Sequence, residues 1–403
     1  MLLELNELMR RRGVGALICI GDSTSCNPEL AYLTRARIPR GGVYFKAMDS
    51  EPLILVSHLD VNLARQGVVR DVRTFSDMGY DDIVARVGRR RALAELLVKL
   101  LKAEKVRGSI ALCGYRSALE SVNLADTLRR LGFHVLGEQR PTILDIARST
   151  KDEWEVETIR RAGVKTLKVV KLFERLLSEL VLRGGVAMYG QRPITVGFLK
   201  RQVAVWCAEN GLTLNEGLIL SVGPKSSDPH HSGSDEDRMV EGQPVILDLF
   251  PTDRSGYMYD FTRTYVIGKP SAEVRRMMDV VSHAHAVALD NLGDGISSER
   301  PFLSVCRYLG RRGYLTILDL ERGVKEAAER GFVHSLGHGV GLTIGEEPYL
   351  RYRERSRLRT GMVFTVEPGL YEPDLGGVRI EDVVVLSQKG PEVLVKHPHL
   401  TMF

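Results

Sequence analysis

The chain has no apolar run approaching the ~20 residues that a membrane-spanning helix needs. Its first twelve residues also lack the apolar core of a secretion signal: Leu2, Leu5, Leu8 and Met9 recur at helical spacing beside Glu4 and Glu7. Cysteine is scarce and unpatterned. Cys19, Cys26, Cys113, Cys207 and Cys306 are odd in number and include no C-x-x-C pair, which argues against a disulfide framework or a cysteine zinc site. These absences lead to the expectation of a soluble, cytoplasmic protein with no membrane partner. No low-complexity tract or internal repeat is evident. The first 148 residues hold neither a dinucleotide-binding glycine fingerprint nor a phosphate loop, so nothing in that half announces chemistry of its own. A net charge of +5 over 403 residues is too dilute for nucleic-acid binding. Two basic clusters, Arg86 with Arg89, Arg90 and Arg91, and the alternating Arg351, Arg353, Arg355, Arg357 and Arg359, read as solvated surface. The second could also attract a substrate carboxylate.

What is present is a chain long enough for two domains. A short helix at 1–12 precedes strand-like runs at 15–21, 42–47 and 52–57. Then come a helical pattern at 93–104, a strand at 109–113, a helix at 119–131 and a strand at 133–136. Strands interleaved with helices predict an α/β domain over 1–148. Thr150-Lys151-Asp152-Glu153 has the form of a capping box opening a helix that runs to about residue 180. Further helical stretches at 198–210 and 272–292 are separated from strand-like runs ending at Asp248, Asp260, Glu367 and Glu381. That separation predicts an α+β domain over 149–403. His283 and His285 fall on the last helix and read as surface or core-edge residues.

Those four acids sit where acids should not. Asp248 interrupts Val245-Ile246-Leu247 and Leu249-Phe250, and Asp260 precedes Phe261-Thr262-Arg263-Thr264 after a turn signal at 253–256. Glu367 follows 362–366, and Glu381 separates Val378-Arg379-Ile380 from an apolar run at 383–386. A buried, unpaired carboxylate is costly unless it meets cations or takes up a proton. Four of them in one domain call for a shared positive partner, and metal ions are the economical one. The fifth element is His334-Ser335-Leu336-Gly337-His338-Gly339-Val340-Gly341, where flanking glycines let the backbone pass close and leave the His338 imidazole clear. Four carboxylates and one imidazole suit Mn²⁺, Co²⁺, Fe²⁺ or Zn²⁺ better than a structural zinc. A pair of ions roughly 3.5–4 Å apart can activate water and clamp a substrate oxygen. Any one of these residues alone would be read as an ion pair or a loop histidine; it is the set that signals.

The order Asp248, Asp260-Phe-Thr-Arg-Thr, Gly337-His338-Gly339, Thr365-Val-Glu367-Pro-Gly and Arg379-Ile-Glu381-Asp resembles the metal pentad of the M24 metallopeptidases. The chain is similar to the Xaa-Pro dipeptidase (prolidase), aminopeptidase P and creatinase branch of that pita-bread superfamily. The resemblance implies a creatinase/prolidase-like N-terminal domain at 1–148 and a pita-bread catalytic domain at 149–403. It implies two divalent ions, Mn²⁺ or Co²⁺ first, with Asp248 on one, Asp260 and Glu381 bridging, and His338 and Glu367 completing the other. It further implies hydrolysis of the Xaa-Pro bond of dipeptides or short peptides, Glu367 as the proton shuttle, and a homodimer. A substrate-facing histidine is expected upstream of Asp248: a gapless count favours His231, while the preceding Pro229 favours His230. Strand alternation places Arg379 on the face of Glu381, there to support a ligand or to meet a substrate carboxylate. Tyr371 stands either near the metals or in the core. The chain departs from the pattern at Gly345, where these enzymes carry a second active-site histidine, so a related non-peptide substrate is the alternative. The spacing from Asp248 to Asp260 is also one residue longer than usual, within the turn.

Overall fold

A computed structural model describes residues 2–403. The expected start of the first helix at Met1 lies outside the described residues, and the helix covers Leu2–Arg11. The chain divides into two compact units, Met1–Arg148 and Ser149–Phe403.

The first unit is an α/β layer. Its six-stranded sheet runs Asp71–Thr74, Leu53–Val56, Gly42–Ala47, Val14–Gly21, Ser109–Cys113, Val135–Leu136. The central strand pairs antiparallel with Gly42–Ala47, Ala16 opposite Ala47, and parallel with Ser109–Cys113, Cys19 opposite Cys113. All eight residues of Val14–Gly21 are buried, the pattern of a sheet covered on both faces. The helix Arg89–Ala103 lays Leu96, Leu97, Leu100 and Leu101 against Ile18, Val43 and Leu55.

The second unit opens with the helix Glu153–Ser178, capped two residues later than the sequence pattern suggested. Asp152 is the N-cap: its Oδ1 accepts from Glu155 N–H at 3.0 Å, and Glu155 Oε2 accepts from Asp152 N–H at 3.1 Å. Thr150 cannot cap there because the chain is still extended, bridged to Met362, with Lys151 N–H donating to the Gly361 carbonyl at 2.7 Å. Two sheets follow. Ile219–Val222, Pro244–Leu249 and Phe261–Val266 pair antiparallel, and Leu400–Met402 joins the last in parallel. Ile344–Leu350, Gly337–Val340, Val363–Val366, Asp382–Ser387 and Gly390–Val393 form a second, antiparallel sheet. A hairpin, Gly369–Glu372 with Gly376–Arg379, completes the frame.

Alternation along these strands sorts the side chains. Val245, Leu247 and Leu249 enter one core with Ile159 and Phe173 of the long helix and Leu199 of the helix Val196–Glu209. Asp248 is thereby turned to the opposite face. Phe364, Val366 and Val384 enter a second core with Val274, Val281 and Leu309 of the helices Ala272–Leu289 and Glu299–Gly310. His283 is exposed, but His285 is only 1% exposed, so it belongs to the interior and not to the core edge. The strand expected to end at Asp260 instead begins after it, at Phe261. Residues 250–260 are taken up by a turn in which Gly256 N–H reaches the Asp253 carbonyl, and Met258 N–H reaches the Gly341 carbonyl, each at 2.8 Å.

Replacing the N-cap, Asp152→Ala, is expected to lower unfolding stability by about 1 kcal/mol, and Thr150→Ala by less. Chemical denaturation of the two variants checks the assignment; a larger loss in Thr150→Ala would reverse it.

Candidate metal centre

Asp248, Asp260, His338, Glu367 and Glu381 all line one cavity of about 270 Å³. Five separate segments deliver them, and one bridge gathers the two sheets. Thr262, opposite Asp248 in the strand pair, is also bridged to Glu381, whose N–H donates to the Thr262 carbonyl at 3.0 Å. Thr262 Oγ1 donates to Glu381 Oε2 at 2.6 Å. Thr365 plays the same part for Glu367, donating to Oε1 at 3.2 Å. Thr365 stands two residues ahead of the acid it meets, a spacing that alternation could have flagged, whereas Thr262 meets an acid 119 residues away. Gly337 and Gly339 are required where they stand. A Cβ on Gly337 would lie 2.0 Å from the Thr365 carbonyl oxygen, and one on Gly339 would lie 2.3 Å from that of Glu347.

Donor atoms of Asp260, His338 and Glu381 lie within 4.8 Å of one another. His338 Nε2 is 3.7 Å from Asp260 Oδ2 and 3.5 Å from Glu367 Oε1, too far for hydrogen bonds. Asp248 Oδ1 and Asp260 Oδ1 are buried with no hydrogen-bond partner. Burial pushes the carboxyls of Asp260 and Glu381 well above the usual range, and the neighbouring acids push them further. Glu367 is also raised, by burial and by Asp248, against the pull of His338 and Arg379. Orphaned oxygens and acids that resist ionising are what a set of metal ligands shows with no cation between them. The residues therefore fit divalent ions, with hard oxygen donors and one imidazole.

Among the described residues, Arg379 is the one guanidinium lining the cavity. Burial alone would lower its pKa, but Tyr371, then Asp248, Glu381 and Glu367, hold it well above the ordinary value, so it stays charged. Its Nη2 donates to Asp248 Oδ2 at 2.5 Å and its Nη1 to Tyr371 Oη at 2.8 Å. Tyr371 Oη in turn meets His334 Nε2 at 2.9 Å, while His334 Nδ1 donates to the Ser335 carbonyl at 2.7 Å. His334 is thus neutral with both nitrogens engaged. Burial, then the Arg379 charge, lowers its pKa to about 3. His334 also lines the cavity, and its place four residues ahead of His338 in the same glycine-rich run is the signal in the sequence that points to it.

Of the two candidate substrate histidines, His230 lines the cavity. His231 does not: its Nδ1 sits 3.1 Å from Ser221 Oγ and accepts from Gly233 N–H at 3.2 Å. Gly345 has a φ of +77°, its N–H reaches His338 Nδ1 at 3.2 Å, and its carbonyl accepts from Tyr349 Oη. Here the backbone, not a side chain, occupies the neighbourhood of His338. All five arginines from Arg351 to Arg359 are exposed and none lines the cavity, as does befit a solvated run.

The metallopeptidase family M24 model matches residues 157–388. The chain belongs to that family. It is 30% identical to the probable dipeptidase PepE of Mycobacterium tuberculosis over 282 residues, 70% of this chain. The match spans 66%, just under two thirds, of that relative's length. It is 31% identical to the Xaa-Pro dipeptidase of Pyrococcus furiosus over 244 residues, 58% of this chain and 65% of that protein. Its fold is that of the Xaa-Pro dipeptidase structure from Bacillus anthracis: TM-score 0.78, 21% identity, 100% of this chain and 98% of the other. The M24 chain accordingly has an α/β N-terminal domain followed by a pita-bread domain, and divalent metal is the family's cofactor.

Because the ligand-set acids hold protons above the usual range, loading metal-free protein with Mn²⁺ near neutral pH should release protons. The sign follows from the shifts: raised folded pKa values mean the folded, metal-free state binds more protons than the unfolded one. These acids' contribution to stability is therefore full at low pH and is lost as pH rises through the raised values. Metal affinity must then fall as pH falls. Calorimetry in two buffers of different protonation enthalpy measures the release; a binding heat independent of buffer would contradict it.

Proposed function

We propose that this M24 protein is a dinuclear-metal hydrolase that cleaves the Xaa-Pro bond of dipeptides or short peptides. The observation that carries the reading is the meeting of Asp248, Asp260, Glu367 and Glu381 with the His338 imidazole around a single cavity, with two buried carboxylate oxygens left unpartnered. Asp248 would hold one ion, Asp260 and Glu381 both, and His338 and Glu367 the other, with Mn²⁺ or Co²⁺ ahead of Zn²⁺ or Fe²⁺. Bound ions supply activation of water and polarisation of the scissile carbonyl.

The chain's own residues do the rest. Glu367, raised by burial, takes the proton from the attacking water and returns it to the leaving nitrogen. His230 holds the developing oxyanion, Arg379 fixes Asp248, and Tyr371 with His334 fixes Arg379. Ile219, Phe250 and Ile344 line the cavity with apolar surface suited to a pyrrolidine ring. A volume just below the ~300–1,000 Å³ common for ligand sites favours short substrates. The dipeptidase names of the relatives support the same class. On this reading 1–148 is the creatinase/prolidase-like N-terminal domain, 149–403 the catalytic domain, and the protein a homodimer. Five free cysteines, Cys26 exposed, favour the cytoplasm. Gly345 supports one alternative, a non-peptide amide substrate, since no side chain there can serve the intermediate.

Metal-loaded protein assayed on Ala-Pro, Ala-Pro-Ala and Ala-Ala decides between them. Proline-dependent cleavage that disappears in Asp260→Ala supports the peptidase, and the preferred length names the subtype. Silence on every peptide, unrelieved by Gly345→His, moves the substrate to the non-peptide class. Within the peptidase, His230→Ala is expected to lower kcat by about 10²–10³-fold, the usual loss of one oxyanion donor. His231→Ala should cost far less, because its ring is engaged by Ser221; equal losses would overturn the assignment.

A further inference from the structure

Away from that cavity, a second group of metal-type donors remains unexplained. His285 Nε2, Asp382 Oδ2 and His399 Nε2 lie within 4.8 Å of one another. His285 comes from the helix Ala272–Leu289, Asp382 from the start of the strand Asp382–Ser387, and His399 from the C-terminal segment just ahead of the strand Leu400–Met402. His285 and Asp382 are 1% and 2% exposed, and the His399 side chain is 30% exposed.

Three observations point to a ligand. Among the described residues, Nδ1 of the buried His285 ring is without a hydrogen-bond partner, and Nε2 lies 3.2 Å from Asp382 Oδ2 outside good hydrogen-bond alignment. That contact is close without being aligned for a proton. His399 Nε2 approaches the same oxygen at 3.4 Å. Four ligands at the 2.0–2.2 Å typical of zinc with nitrogen and oxygen sit at the corners of a tetrahedron with ~3.4 Å edges. The two measured separations are edges of that size. Finally, the outer contacts are those of a built site. Arg263 Nη2 occupies Asp382 Oδ1 at 2.7 Å, leaving Oδ2 directed at the two rings. Ser282 Oγ lies 3.1 Å from His399 Nδ1 and can hold the tautomer whose Nε2 lone pair is free.

We propose that His285, Asp382 and His399 form a separate structural site for a tetrahedral divalent ion of the zinc type, with water from the exposed edge of His399 as fourth ligand. The ion staples the C-terminal segment, already tied by Arg263 to the carbonyls of His397 and Pro398, to the helix and to the strand that follows Glu381. The site does not depend on the peptidase reading, because occupancy can be counted without turnover.

The test is a zinc titration of metal-stripped, full-length protein, with bound metal counted after gel filtration. Wild-type protein is expected to retain one equivalent more than His399→Ala, a substitution at a partly exposed position. Ser282→Ala should bind that equivalent about 10–100-fold more weakly, as loss of an outer-shell partner does. Cobalt in place of zinc should add the strong visible absorption of a four-coordinate ion in wild type, and that absorption should be missing in His399→Ala. Equal zinc content in wild type and His399→Ala would overturn the site. If His399→Ala fails to fold, an unchanged affinity in Ser282→Ala does so instead.

Discussion

Four carboxylates enclosed with a single guanidinium cannot all be ionised without further positive charge. Desolvation and mutual repulsion raise Asp260, Glu367 and Glu381 together, and Arg379, bound to Asp248, offsets only part of that. Much of the surrounding structure serves to hold these groups together despite the repulsion. Thr262 and Thr365 each give a hydroxyl hydrogen to one acid, and Tyr371, itself bonded to the cavity-lining His334, fixes the guanidinium. A cation placed among them reverses the sign of the problem, turning mutual repulsion into shared attraction.

That clustering rests on packing that is itself unremarkable. Val363–Val366 and Asp382–Ser387 alternate between two apolar cores, and Pro244–Leu249 turns Val245, Leu247 and Leu249 into one of them, so an acid in a strand is steered by its apolar neighbours. Val245, Leu247 and Leu249 settle where Asp248 points before any electrostatics are counted. Moving that strand by one residue would expose the apolar set and bury the wrong side chains. The glycines around His338 act similarly, since side chains at Gly337 or Gly339 would collide with neighbouring backbone.

The α/β character of the first unit and the α+β character of the second were legible because periodicity is a local property. The long helix, the central strand of the first sheet and the strand bearing Asp248 lie close to where their apolar patterns place them. Local signals failed where tertiary contacts chose between equals. Thr150 and Asp152 can both cap a helix, and the pairing of Thr150 with Met362 selects Asp152. His285 has the spacing of a core-edge residue, yet helix, strand and C-terminal segment close around it.

The sequence by itself determined the kind of chemistry available, because acids set within apolar strands and a histidine between glycines are chemically costly wherever they fold. It also determined that Gly345 has no donor side chain to offer. Only the tertiary structure decided which residues meet. It turned His230 toward the cavity and His231 toward Ser221, set His334 on the cavity wall against Tyr371, and set His399 beside His285 across more than a hundred residues. The physical reason is that strand register and turn geometry are cooperative properties of the packed sheets, and spacing along one chain does not encode the distance between two ends of it.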